Sequence, residues 1–328
     1  MNIVYIIGNG FDINLEIPTK YSEFYKYYID VKSSNSLISN LKKDIEIDVN
    51  SWSDLELRFG KYCQHLKSYD EFKIIYNDIQ DKLGDYLEKA EKDFDFKQIN
   101  KDKIYNYLAF PEENLTRADY IKIKAYRKIW NTSQWNINII TLNYTHSIEN
   151  ILNYTNQPIQ IQKKIGRNFP VVINRIEHLH GFFDERMILG VNDISQIKNE
   201  KFKANQKIRQ TLIKSECNQA QRHTIDDWCL NRISDANLIC VFGSSIGESD
   251  TYIWEKIGNK LLNGCFLIIF YYEKDYVISK RRPQEVNIIE DEKKMDFIHK
   301  SNLTQTEIDK FKEQIFFSIN NTQMFNFK

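Results

Sequence analysis

Four short polar clusters carry the side chains able to do chemistry, and each directly follows an apolar run. They are Gly8-Asn9-Gly10-Phe11-Asp12, Asn143-Tyr144-Thr145, His178-Leu179-His180-Gly181, and Gly243-Ser244-Ser245-Ile246-Gly247 with Asp250 just beyond. A histidine that is neutral near pH 7 suits proton transfer to or from a bound small molecule, an effect worth about 10²–10⁴-fold in rate. Two glycines straight after a strand let the main chain turn tightly and approach a ligand with no Cβ in the way. Free amides at the start of a following helix then suit a phosphate. The turn at Gly8–Gly10 is half of a dinucleotide-binding fingerprint, because Asn14 and Leu15 stand where a third glycine would pack. A tight strand-to-helix turn that holds nothing has the same sequence.

Plainer roles exist for each of these residues. Asn143 can cap the helix that follows it, Asp12 can be the N-cap of the first helix, and Asp250 can favour a helix dipole. His178 and His180 alternate along a strand and so share a face. Two histidines fall short of the three protein ligands of a catalytic zinc, and no metal is expected. Ser53-Asp54-Leu55-Glu56 reads as a capping box, which gives Glu56 a structural job.

The elements that must position these clusters follow from the apolar pattern. Ile3–Ile7, Asn138–Leu142, Val171–Ile176, Leu238–Phe242 and Phe266–Tyr272 read as strands, most of them buried on both faces as in a parallel sheet. Ile315–Phe317 adds one more, and Pro158–Ile165 is a short extension or hairpin. From Tyr21 to Trp135 the chain is charged, aromatic and helical in pattern, with helices from the capping box to about Leu66, over Asp70–Lys92 and over Arg117–Trp130. Further helices are expected over Ser147–Asn153 and Asn205–Leu230, after Glu248, and at a cap formed by Thr304 and Glu307. Strands alternating with helices give an α/β fold: a Rossmann-like parallel sheet built from residues 1–20 and 136–328, with a large helical insertion over 21–135 as a natural lid. Ligands of such sheets sit beyond the carboxyl ends of the strands, so all four clusters gather at one edge.

Composition narrows the function. The 328 residues carry 45 basic and 45 acidic side chains, a balance without the broad attraction of a nucleic-acid binder. Cys63, Cys217, Cys229, Cys240 and Cys265 include no Cys-x-x-Cys pair, which points to reduced thiols and away from a structural zinc. No apolar run approaches the ~20 residues that span a membrane, and no targeting segment is evident, so a soluble cytoplasmic protein is expected.

Gly8-Asn9-Gly10-Phe11-Asp12, followed by Ile17-Pro18-Thr19 and Tyr21-Ser22-Glu23-Phe24, resembles the opening of AbiH proteins, the bacteriophage abortive-infection family. Thr141–Thr145, His178–Gly181 and Gly243–Asp250 fall in that family's order, and the match spans almost the whole chain. AbiH proteins in turn look like distant sirtuin-type NAD-binding domains. The resemblance implies a sheet of sirtuin type and a defence role, with NAD as substrate, cleaved to nicotinamide and ADP-ribose. It places Gly8 and Gly10 against the pyrophosphate, Asn143 at the nicotinamide ribose, and His180 where it polarises a ribose hydroxyl. Ser244 or Ser245 would help hold the remaining phosphate and ribose, with Asp250 a further contact, and Asn9, Phe11, Asp12, Thr141, Tyr144 and Gly243 complete the cofactor-binding set. Two features depart from sirtuins. Thr19-Lys20-Tyr21 replaces the Phe-Arg after the proline, and the zinc ribbon is missing, which disfavours protein deacetylation and leaves NAD cleavage. Breaking that bond passes through an oxocarbenium-like transition state, which an amide, a histidine and a carboxylate can stabilise. The expected partners are a small-molecule nucleotide and a phage-derived trigger, with no nucleic acid or membrane and with homo-oligomerisation left open.

Three rival readings use the same chain. Gly243-Ser244-Ser245-Ile246-Gly247 satisfies the Gly-x-Ser-x-Gly nucleophile elbow, with Asp275 and His299 following in hydrolase order. The fold could hold a nucleotide without turnover, as a sensor that signals through the helical block. Arg58 and His65 have a spacing seen in some helical toxin nucleases.

Overall fold

A computed structural model describes residues 1–272, 281–282, 284–304, 307, 311–320 and 324–326. Seven strands form one sheet among the described residues: β1 (Asn2–Ile7), β2 (Trp135–Thr141), β3 (Ile159–Gln160), β4 (Val171–His178), β5 (Leu238–Phe242), β6 (Phe266–Tyr271) and β7 (Ile315–Ile319), in the order β3-β4-β2-β1-β5-β6-β7. All pairings are parallel except the short β3 against β4. The long β-branched runs predict this, since a strand covered on both faces has no polar side to alternate. Ile3, Tyr5 and Ile7 of β1 enter one core and Val4 and Ile6 the other.

The helices are α1 (Gly10–Asn14), α2 (Tyr21–Asp30), α3 (Ser36–Ile47), α4 (Leu55–Tyr62), α5 (Tyr69–Lys92), α6 (Lys101–Ala109), α7 (Arg117–Arg127), α8 (Ser147–Leu152), α9 (Glu200–Lys203), α10 (Gln206–Leu212), α11 (Lys214–Ala220), α12 (Ile225–Asp235), α13 (Thr251–Leu261) and α14 (Gln284–Lys300). The helical stretch between β1 and β2 is shared between two cores. Its later part, α6 and α7, covers the sheet, and the Tyr5 hydroxyl of β1 donates to the carbonyls of Tyr107 and Leu108, each at 3.0 Å. Its earlier part, α2 to α5, builds a second body together with Met187–Ile213 from beyond β4. Helix α5 shows why. Phe72, Ile75, Tyr76, Ile79, Leu83 and Leu87 recur at three- and four-residue steps along 24 residues and are buried, and Ser68 caps the helix by accepting from the Glu71 amide. On the opposite face of the sheet lie α12, α13 and α14.

Because β1 pairs with β2 on one side and β5 on the other, the chain leaves β1 and β5 toward opposite faces of the sheet. The register aligns Ile7 with Thr141 and with Phe242, and Thr141 with His178. The turns that follow β1, β2, β4 and β5 therefore emerge together, at the point where a parallel sheet opens a crevice. The Asn205–Leu230 stretch, read above as one helix, is divided among α10, α11 and α12.

Candidate functional site

A cleft of about 1620 Å³ opens at this edge, between the sheet and the helical body. Gly8, Asn9, Gly10, Tyr144, His180, Gly243, Ser244, Ser245 and Asp250 line it, as do Tyr21, Asp54 and Glu56 from the helical body. Phe11, Asp12, Thr141 and Asn143 do not line it, although Leu142 and Tyr144, on either side of Asn143, do. The Phe11 ring packs edge-on against Phe242 and Phe325. Thr141 uses its hydroxyl to accept from the Asn143 amide.

The glycine turn is held by protein rather than left open. Cβ atoms built on Gly8 and Gly10 would lie 2.7 Å from the Gly243 carbonyl oxygen and 2.5 Å from the Gly243 Cα. Gly243 itself has φ +70°, and a Cβ there would meet the Phe11 nitrogen at 2.6 Å. The close approach that demands glycine is that of the β1 and β5 loops to each other. The amides follow the same logic: Gly8 donates to Phe242, Gly10 to Gly243 and Phe11 to Gly8. The Asn9 side chain is fully engaged with Thr19, accepting from its hydroxyl and donating to its carbonyl. Helix α1 is only five residues long.

His180 sits in the wall of the cleft, 2% exposed. Its Nε2 lies 2.8 Å from Asp250 Oδ1, and its Nδ1 is buried without a hydrogen-bond partner among the described residues. Asp250 occupies the N-cap position of α13 but makes no side-chain cap. Its carboxylate turns instead to His180 and to Lys214, whose ammonium is 2.9 Å from the same oxygen. Lys214 also donates to Glu56 Oε2 at 2.8 Å and to the Ser249 carbonyl at 3.2 Å, so all three of its donors are used. Glu56 Oε1 in turn shares the Tyr144 hydroxyl proton with the Ile188 carbonyl. Burial works against the Asp250 charge, yet the Lys214 ammonium and the His180 ring outweigh it and hold this carboxyl well below the usual range. Burial likewise opposes the Lys214 charge, and Asp250 and Glu56 override it to keep the ammonium ionised. Burial and the neighbouring Glu56 raise Asp54.

Sequence reasoning missed Lys214 altogether and assigned Glu56 wrongly. Asp54, not Ser53, is the N-cap of α4 and accepts from the Leu57 amide, so Glu56 lies in the first turn and points into the network. The two histidines also part company. His178 lies between the Asn143 carbonyl and Glu149, both at 2.8 Å, and is absent from the cleft wall. Asp12 is 1% exposed, accepts from Thr145 at 2.6 Å, and is pushed up to about 6 by burial, against the pull of the Thr145 and Ser147 hydroxyls.

The rival sites fare differently. A nucleophile elbow places its serine at the strained turn, directly before a helix. Here the positive φ angles fall on Gly243 and Ile246, and a 3-10 turn over Glu248–Asp250 intervenes before α13. Ser245 and His299 are both exposed, and Asp275 lies outside the described residues. Arg58 is tied to Asp44 at 3.1 Å and stacks over Trp52, bracing α3 against α4, while His65 is exposed beside Tyr62. Among the described residues no three His, Cys, Asp or Glu side chains are grouped to hold a metal ion, and no helix is long and apolar enough to cross a membrane.

No curated protein matches the chain. The model of the bacteriophage abortive infection AbiH family matches residues 4–272 of the 328, and the chain belongs to that family.

Proposed function

We propose that this AbiH protein serves phage abortive infection by hydrolysing the nicotinamide–ribose bond of NAD in the cleft at the carboxyl edge of the sheet. The observation that carries the reading is the His180–Asp250 pair in the wall of that cleft. An ionised Asp250 can only accept, so the neutral imidazole carries its proton on Nε2 and keeps a lone pair on Nδ1. Nδ1 is a buried atom without a hydrogen-bond partner among the described residues, and in this reading a ribose hydroxyl or the attacking water reaches it from the cleft and gives up its proton there. Charge supports the same reaction. The single ammonium of Lys214 is shared by Glu56 and Asp250, and Asp54 adds another carboxylate to the wall. The surplus of negative charge favours a pyridinium substrate and the oxocarbenium character that develops as nicotinamide departs. Asn143, off the cleft, is assigned a positioning role, since its carbonyl holds His178 and its neighbours Leu142 and Tyr144 reach the ligand space.

The test measures NAD loss and nicotinamide release by wild type, His180→Ala and Asn143→Ala, both as purified proteins and in cells challenged with phage. His180→Ala is expected to lower turnover by about 10²–10⁴-fold, the span of general-base catalysis. Asn143→Ala keeps the main-chain carbonyl that holds His178 and is therefore expected to lower turnover less. Constant NAD in infected cells while protection persists would refute catalysis on NAD and make the cleft a sensor.

A further inference from the structure

Lys214 is an unusual choice for its position. It is 1% exposed, it begins α11 some distance along the chain from every other member of the network, and it reaches carboxylates from two different bodies: Glu56 on α4 and Asp250 before α13. Two buried carboxylate oxygens each lie within 3 Å of one nitrogen. Without the ammonium they would face each other, both largely buried in the cleft wall, with Asp54 nearby. Like charges so placed cannot both persist, and one carboxyl takes up a proton.

Which carboxyl is protonated decides the chemistry of His180. With Asp250 ionised, Nε2–H donates to Oδ1 and Nδ1 is the bare nitrogen. With Asp250 protonated, its O–H donates to Nε2 and the ring proton moves to Nδ1. The proton comes from solvent, replacing the positive charge removed with Lys214, so charge and protons balance. That nitrogen is buried without a hydrogen-bond partner among the described residues, so no partner fixes either a lone pair or an N–H there, and the Asp250 O–H bond to Nε2 must offset the unpaired N–H. The other ionisable groups close by are Asp226, which accepts from Asn218, and Arg186, which is bonded to Asn218 and the His178 carbonyl.

We infer that Lys214, through Asp250, is a positioning residue that fixes the tautomer of His180, with Glu56 as the counter-charge that keeps the ammonium in place. The inference rests on the reading above only in calling Nδ1 the working nitrogen; the tautomer itself does not depend on any substrate. The comparison is between Lys214→Gln, which keeps hydrogen-bond donors to both carboxylates but loses the charge, and the double variant Lys214→Met with Glu56→Gln, which removes both partners of the pair.

The measurement is the ¹⁵N shift pattern of the His180 ring in the full-length labelled protein, assigned by the signal lost in His180→Gln. Wild type is expected to show the proton on Nε2. Lys214→Gln is expected to move it to Nδ1, and the double variant to return it to Nε2, because Asp250 is again a lone carboxylate free to ionise. An unchanged Nε2–H pattern in Lys214→Gln, or a ring protonated on both nitrogens, would overturn the inference. Should that variant not fold, an Nδ1–H pattern in the double variant overturns it equally. Where NAD is turned over, Lys214→Gln is expected to lower kcat at least tenfold with KM little changed. If no variant, wild type included, cleaves NAD, the proposed reaction fails while the ring spectra still decide the tautomer.

Discussion

Gly243→Ala tests whether the glycine turn exists for a ligand or for the protein itself. The new methyl would require a non-glycine residue at φ +70°, a left-handed conformation that costs roughly 1–2 kcal/mol. It would also stand 2.6 Å from the Phe11 nitrogen and 2.8 Å from the Gly10 carbonyl carbon. These are main-chain atoms, and the Gly10 amide that donates to Gly243 at 2.7 Å keeps them from retreating. Overpacking of this kind adds about 1–3 kcal/mol, so the total is about 2–5 kcal/mol. Gly264→Ala is the internal control: φ is +79° and, beyond its chain neighbours, nothing among the described residues lies within 4 Å of the added methyl, so only the conformational term applies. Denaturant unfolding at constant m reads both variants. If Gly243→Ala proves no more destabilising than Gly264→Ala while ligand binding is lost, the mutual approach of the β1 and β5 loops is not what demands glycine. The same would then hold for Gly8 and Gly10, which meet the same loop.

Other outcomes follow from the buried charges. Lys214→Met alone removes the ammonium shared by two buried carboxylates and is expected to lose about 3–5 kcal/mol of unfolding free energy, most of it recovered on adding Glu56→Gln. Asp12 is pushed up to about 6, above its unfolded value, so the native protein holds that proton where the unfolded chain has released it. Stability should therefore fall as pH rises from about 4 to 6, by roughly 1–3 kcal/mol for this group, and Asp12→Asn should flatten the curve; equal slopes for the two proteins would refute the assignment. A fluorophosphonate probe is expected to leave Ser245 unlabelled, and labelling there that Ser245→Ala abolishes would restore the hydrolase reading.

The strands were legible because burial on both faces leaves a local signature. Leu238–Phe242 is bounded by Asn237 and Gly243, and the apolar run and β5 coincide residue for residue. The break at Ile213 was not legible, because it comes from the Val191 backbone pairing with that residue, a contact no local pattern announces. Glu56 shows how a true local rule can mislead. Ser53 and Glu56 have capping-box spacing, but Asp54 wins the cap, and a one-residue shift turns Glu56 inward. Lys214 gave no signal at all. Set among Ile213, Ser215 and Glu216 it resembles any surface lysine, and its partner Glu56 lies 158 residues away. Asp250, which the sequence offers as a helix-dipole partner, turns its carboxylate to His180 and not to the helix amides. Strand ends are written in nearest neighbours; a charge network that spans two bodies is written only in the fold.

The interlocked glycine loops also make the two walls of the cleft unlike in kind. Gly8, Gly10 and Gly243 press main chain against main chain, so no side chain can be added at those three positions. On the facing wall the helical body presents side chains to the same space, at Tyr21, Ser22, Ser53 and Asp54. One jaw takes its shape from backbone contact, and the other from side chains.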